Sequence, residues 1–194
     1  MSGWLVSTDT DGKLVGFYHP SINSSIPEGS RPISDDMHQT WVAEGRSAYW
    51  WPKSAKQPIP YEPTEEEKLA KVRPEKANEI RAACSNALIS GFLSDCLGSE
   101  HFYPTKDTDR ENVANSFIGA LGAKQTGDES WKAAEWCQDP ETEEWSFEDH
   151  DADQMIQLGK DLNSFIQGVR AHNAELLAAV DAATTEAQVV AIRW

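Results

Sequence analysis

An α+β fold is predicted, with a small β-rich N-terminal module and a helical C-terminal domain that carries a tryptophan-containing β-hairpin. Three features predict it. Up to about residue 63, apolar runs are short and punctuated by Asp-Gly, Pro-Glu-Gly and proline-rich turns. From about residue 75, apolar residues recur at helical spacing. Between the helical stretches, Trp131, Trp136 and Trp145 surround the turn sequence Asp139-Pro140-Glu141-Thr142.

The elements follow in order. Residues 4–7 and 14–18 read as strands joined by Asp9-Thr10-Asp11-Gly12, an Asp-Gly hairpin signal. Residues 26–29 form a loop. Ser34 caps a short helix over 35–44, with acids in its first turn and Gly45 as its stop. Residues 49–52 and 58–60 are extended, by aromatic β-propensity and proline restriction. The core of this module is thin, so Phe17, Tyr18, Tyr49, Trp50 and Trp51 are expected either to fill it or to form a binding surface. The domain boundary is set at 1–63 and 64–194.

Thr64 with Glu67 is a capping-box pattern that opens a helix, which Pro74 kinks or restarts. Ile80, Cys84, Leu88 and Phe92 recur every four residues, which predicts a helix over 75–95. Its small neighbours Ala77, Ala83, Ala87 and Gly91 admit a close helix partner. Residues 101–104 are extended. Asp107 or Thr108 caps a helix through 118. Residues 134–137 and 144–147 pair as a hairpin that brings Trp136 near Trp145. The last long helix opens near 149–151 and carries the stripe Met155, Leu158, Leu162, Phe165, Val169, Leu176 and Val180, with Asn173 among them. That stripe outruns the 75–95 helix. The end around Val169, Leu176 and Val180 would then be exposed, which predicts a homodimer through this helix. The competing expectation is that 189–194, after a capping signal at 184–187, folds back over it.

Composition narrows function. The formal net charge of the 194-residue chain is −15, and residues 128–153 hold eleven acids against one base, Lys132. Binding to a phosphate backbone needs a basic face, so nucleic acid is not an expected partner. Eight tryptophans argue against disorder. Cys84, Cys96 and Cys137 are an odd, widely spaced set, which suits a reducing compartment. The opening Met1-Ser2-Gly3-Trp4 has no leader character, and no run is long enough to span a membrane.

No catalytic constellation emerges. The histidines 19, 38, 101, 150 and 172 are scattered without metal-ligand spacing. Glu148, Asp149, His150, Asp151 and Asp153 lack the glycine and terminal glutamate of a calcium loop and read as the acids of a helix start. Asp107 and Asp109 beside Arg110 read as turn and cap residues. Cys137 and His150 form only a nominal Cys/His pair. The expectation is a protein that is not an enzyme and uses no metal or cofactor.

Gly16-Phe17-Tyr18, Ile26-Pro27, Ile33-Ser34 before a short helix, and Gln57-Pro58-Ile59 resemble the N-terminal part of phage tail-fibre assembly proteins of the Tfa type. The remainder resembles the DUF4376 family. It does so through Ile80-Arg81, Phe102-Tyr103-Pro104-Thr105, Asp109 with Asn112, Trp131, Trp136, Trp145, His150 with Gln154, and the 182–194 ending. The resemblance implies a chaperone for folding and trimerisation of a bacteriophage, or phage-tail-like, tail fibre. Its partner would be the C-terminal region of the fibre. It would act in the cytoplasm of the bacterial host, with residence at the fibre tip on the virion as an extension of that role. Phe17, Tyr18, Tyr49, Trp50 and Trp51 are the expected client-binding residues. The alternative is an acidic DNA mimic or inhibitor that binds a basic host enzyme. A mimic needs rows of carboxylates and salt-sensitive binding, whereas a chaperone needs an apolar patch with a polar rim.

Overall fold

The computed structural model describes residues 3–194. Met1 and Ser2, at the head of the expected 1–63 module, lie outside the described residues. Two compact units are present, one ending at Thr64 and one spanning Glu65–Trp194. The architecture is α+β, as the sequence predicts.

In the first unit, β1 (Leu5–Thr8) pairs antiparallel with β2 (Leu14–Tyr18) and with β3 (Arg31–Pro32), in the order β2-β1-β3. Asp9 makes the expected hairpin turn. Its Oδ1 accepts from the N–H groups of Asp11 at 3.0 Å and Lys13 at 2.8 Å. Helix α1 (Asp35–Glu44) is capped by the Ser34 hydroxyl and ends at Gly45, whose φ of 101° a β-carbon would oppose. Strands β4 (Tyr49–Trp50) and β5 (Ile59–Pro60) pair antiparallel. Val6, Ile33, Trp41 and Trp51 form the buried core. The two indoles are each anchored by a hydrogen bond, Trp41 to the Arg46 carbonyl at 3.1 Å and Trp51 to the Ala55 carbonyl at 3.0 Å.

The second unit begins with α2 (Glu65–Leu88), which runs through Pro74 without a restart. The expected helix over 75–95 stops seven residues early. Gly91 adopts φ 92°, and a β-carbon there would meet the Phe102 ring at 2.1 Å. The chain therefore turns at Gly91, and Phe92 enters strand β6 (Phe92–Ser94) rather than a helix. Strand β7 (His101–Tyr103) pairs with β6. Helix α3 (Asp107–Thr126) is capped at Lys106, one residue before the expected cap, and extends eight residues beyond the expected end. Strands β8 (Lys132–Gln138) and β9 (Trp145–Asp151) form the hairpin, and the sheet order is β6-β7-β8-β9. Asp151 caps α4 (Ala152–Ala182), and α5 (Glu186–Ala191) closes the unit.

Helix α4, about 46 Å long at 1.5 Å per residue, serves two cores. Met155, Leu158 and Leu162 pack with Phe92, Tyr103, Val113 and Cys137 between α3 and one face of the sheet. Gly159 permits the close approach of α3, since a β-carbon there would sit 2.4 Å from the Phe117 ring. Farther along, Val180 packs with Leu69, Ile80, Ala183 and Val189, and Leu176 and Ile192 lie against them. Arg73 donates to the Asp181 and Ala183 carbonyls, at 3.2 and 2.6 Å, and so caps the α4 C-terminus.

These contacts correct the reasoning behind the homodimer. Leu176 and Val180 are covered from within the unit, because α2 starts ten residues earlier than the 75–95 helix and α5 folds back as the competing expectation held. The exposed apolar end that called for a second copy is absent at these positions. No helix among the described residues is long and apolar enough to cross a membrane.

Candidate functional site

The five aromatics of the first unit divide by strand alternation, in which successive side chains point to opposite faces. Phe17, Tyr49 and Trp51 turn toward the core. Phe17 lies edge-on to Trp41 with ring centroids 5.5 Å apart, and Tyr49 packs against the same indole at 5.8 Å. Trp51 is 5% exposed and carries the Arg31 guanidinium over its ring at 4.0 Å. Arg31 also donates to the Pro52 carbonyl at 3.3 Å and to the Trp51 carbonyl. Trp51 is thus a core residue and not a client surface; a thin module needs its largest side chains inside. Tyr18, which covers Gly16, and Trp50, edge-on to Tyr61 at 6.1 Å, are half-buried on the other side. The five residues do not share one face.

The second unit inverts this arrangement. On β8 and β9 the buried face carries Glu135, Cys137, Glu148 and His150, and the open face carries Trp136, Trp145 and Phe147. Trp136 and Trp145 stack across the hairpin at 5.8 Å and 18°, the proximity expected from the turn. Trp136 pairs directly with Phe147, ring centroids 4.8 Å apart. Trp145 meets Phe102 of β7 edge-on at 5.9 Å, and Phe102 pairs with exposed Leu93 of β6. Five apolar side chains therefore cross the whole outer face of a four-stranded sheet. Phe147 is 68% exposed. Patches of this kind on a folded unit mark interaction sites. Acids surround the patch: Asp149 and Asp151 follow Phe147 on the same face of β9, and Glu141, Glu143 and Glu144 fill the turn.

Beneath the sheet lies a closed polar chain. His150 is fully buried. Its Nδ1 lies 2.8 Å from the Glu148 carbonyl, which can only accept, so the neutral ring carries its proton there. The Nε2 then accepts from the Tyr103 hydroxyl at 2.8 Å, and the Tyr103 oxygen lies 3.2 Å from Cys96 Sγ. Burial raises the Tyr103 hydroxyl far above its ordinary range, with Cys96 adding to the effect. Burial also pushes the Cys137 thiol up to about 11, helped by the Glu148 charge. Cys96 is raised for the same first reason. Thiols so raised are poor nucleophiles at neutral pH. The chain orders the core and ties β7 to β9. His150 is thus spent on Tyr103, Asp151 on the α4 cap, and Asp153 on Lys124 at 2.8 Å. Among the described residues no group of three His, Cys, Asp or Glu side chains is placed to hold a metal.

A cavity of about 620 Å³ opens beside β8. Tyr103 and Pro104, Asp109 and Asn112, and Trp136 all line it. These are residues through which the sequence resembles DUF4376, brought together from β7, α3 and β8. Residues 71–193 match that family, described as a domain of unknown function. The chain belongs to the DUF4376 family. The match covers nearly all of the second unit, so the cavity and the aromatic face are features of a DUF4376 domain. No curated protein and no solved structure matches the chain.

The sequence singles out Trp136, Trp145 and Phe102 but not Leu93, Phe147 or Glu135. The available signal was the strict alternation of residues 132–138 and 145–151, which puts Trp136, Trp145 and Phe147 on one side. It did not say which side faces solvent.

Proposed function

We propose that the chain is a protein-binding chaperone that assists folding and trimerisation of a bacteriophage, or phage-tail-like, tail fibre, and that it acts without catalysis. The observation that carries the binding role is the outer face of the DUF4376 sheet, where Leu93, Phe102, Trp136, Trp145 and Phe147 present an aromatic patch with an acidic rim. Fibre chains are β-rich and expose strand edges and apolar side chains until trimerisation covers them. A helper that holds such a chain needs an apolar surface and enough charge to remain soluble while occupied. The net charge of −15 supplies the second. The likeness of residues 15–63 to tail-fibre assembly proteins supports the fibre as client and the bacterial cytoplasm as the place of action. Tyr18 and Trp50 of the first unit are available as further contacts. A DNA mimic is less well supported, since on the outer face of β9 only Asp149 and Asp151 follow the aromatics Trp145 and Phe147, and they do not form a long row of carboxylates. The test is expression of the fibre with and without this chain. Soluble trimer should rise several-fold with it; equal trimer in both cultures would overturn the proposal.

A further inference from the structure

Ala134, Glu135 and Trp136 are consecutive residues of β8, and all three line the 620 Å³ cavity. Side chains alternate across a strand, so a cavity touched by three in a row fronts the strand's backbone edge. That edge is open. β7 pairs with β8 at one position only, Phe102 with Gln138. Beyond the sheet ladders, no backbone–backbone hydrogen bond among the described residues reaches residues 132–137. An open edge presents alternating N–H and C=O groups, to which an extended peptide can add as a further strand.

The side chains flanking the edge specify what that peptide carries. On the core side stands Glu135, 7% exposed, whose side chain makes no hydrogen bond or ion pair among the described residues. Its cross-strand partner is Glu148, so the nearest charge on the hairpin has the same sign. The Glu135 carboxylate oxygens stay open to the cavity that this residue lines, and no Lys or Arg of the described residues pairs with them there. On the solvent side stand Trp136 and its pair Phe147.

We infer that the open edge of β8 takes an extended segment of a partner protein that adds as a strand, sets a Lys or Arg against Glu135, and lays the apolar side chains before and after it on Trp136 and Phe147. The period of two dictates this order: the residue opposite Glu135 faces inward, and its two neighbours face outward. Complementarity with the acid-rich hairpin favours a basic segment over an acidic one. The inference rests on reading the DUF4376 domain as a binding module, not on which client it serves.

The test is selection from a displayed library of random dodecapeptides on the immobilised full-length chain, followed by affinity measurement on the winning synthetic peptide. Enriched peptides should share a central Lys or Arg between two apolar residues, with no proline at the centre. Glu135→Gln should weaken the winner at least tenfold, and selection on Glu135→Lys should replace the central base by Asp or Glu. Glu135→Gln should melt no lower than wild type, because it removes a like-charge pair. Failure to enrich any peptide, the same basic winners on Glu135→Lys, or a melting temperature more than 5 °C lower for Glu135→Gln would overturn the inference. So would a dimer in sedimentation equilibrium that Glu135→Gln dissociates, since the edge would then serve a second copy. Loss of fibre trimer in co-expression reports on the client and leaves these outcomes unchanged.

Discussion

The two units use the same residue type in opposite ways. In the first, Trp41 and Trp51 are buried and their indole N–H groups are bonded to carbonyls. In the second, Trp136 and Trp145 stand on the open face of a sheet, each 40% exposed. The difference follows from what covers each sheet. The first unit has five short strands and one ten-residue helix, so its aromatics must supply the core themselves. In the second, α3 and α4 fill the core with Met155, Leu158, Leu162 and Val113 against one sheet face. The other face is then free to carry Trp136, Trp145 and Phe147 for a partner.

The comparison can be broken most severely at Trp41. Trp41→Ala removes the ring on which Phe17 and Tyr49 pack and should destabilise the first unit by about 3–5 kcal/mol, enough to unfold a thin module. Far-ultraviolet circular dichroism should retain the helical signal of the second unit. A variant with wild-type stability would mean that the first unit is not held by its aromatics. The next effect is expected at Gly159. Gly159→Ala forces the Phe117 ring away and should cost about 1–3 kcal/mol in urea denaturation of the second unit.

The smallest effect concerns acid. His38 stacks on Trp4 at 3.9 Å, and burial holds its pKa below the ordinary value of 6.5, opposed by Asp35. The unfolded imidazole takes its proton at about 6.5 while the folded one resists until lower pH, so the unfolded state binds more protons in that window. Stability of the first unit should be full above that value and decline as pH falls through the folded pKa. His38→Gln should flatten that decline; the same slope in both proteins would remove His38 as its cause.

Local chemistry made much of the fold legible. The Asp9 turn, the Ser34 cap, the Trp136–Trp145 hairpin and the fold-back of α5 are each set by a few neighbouring residues. Phe92 was misread because it continues a four-residue period from Ile80, and only the positive φ of Gly91 breaks that period. The groove was illegible because residues from β7, α3 and β8 meet there through the fold alone. The facing of the hairpin was illegible for a different reason. Alternation separates Trp136 from Cys137, but an aromatic suits either a core or a docking surface. The buried side turned out to be the polar one, where His150 is satisfied by Tyr103 and Glu135 faces the cavity.

The central claim is that the outer aromatic face of the DUF4376 sheet holds the client while the aromatics of the first unit hold their own fold. Fibre trimer yield in co-expression with the double variant Trp136→Ser, Phe147→Ser tests it most directly, read beside the melting temperature of that variant. Phe147 is 68% and Trp136 40% exposed, so losing their ring contacts with each other and with Trp145 should cost about 1–3 kcal/mol and leave the unit folded. Loss of two anchor aromatics should cost ~2 kcal/mol or more in binding and return trimer to the level seen without the chain. Wild-type trimer yield from a folded double variant would contradict the account.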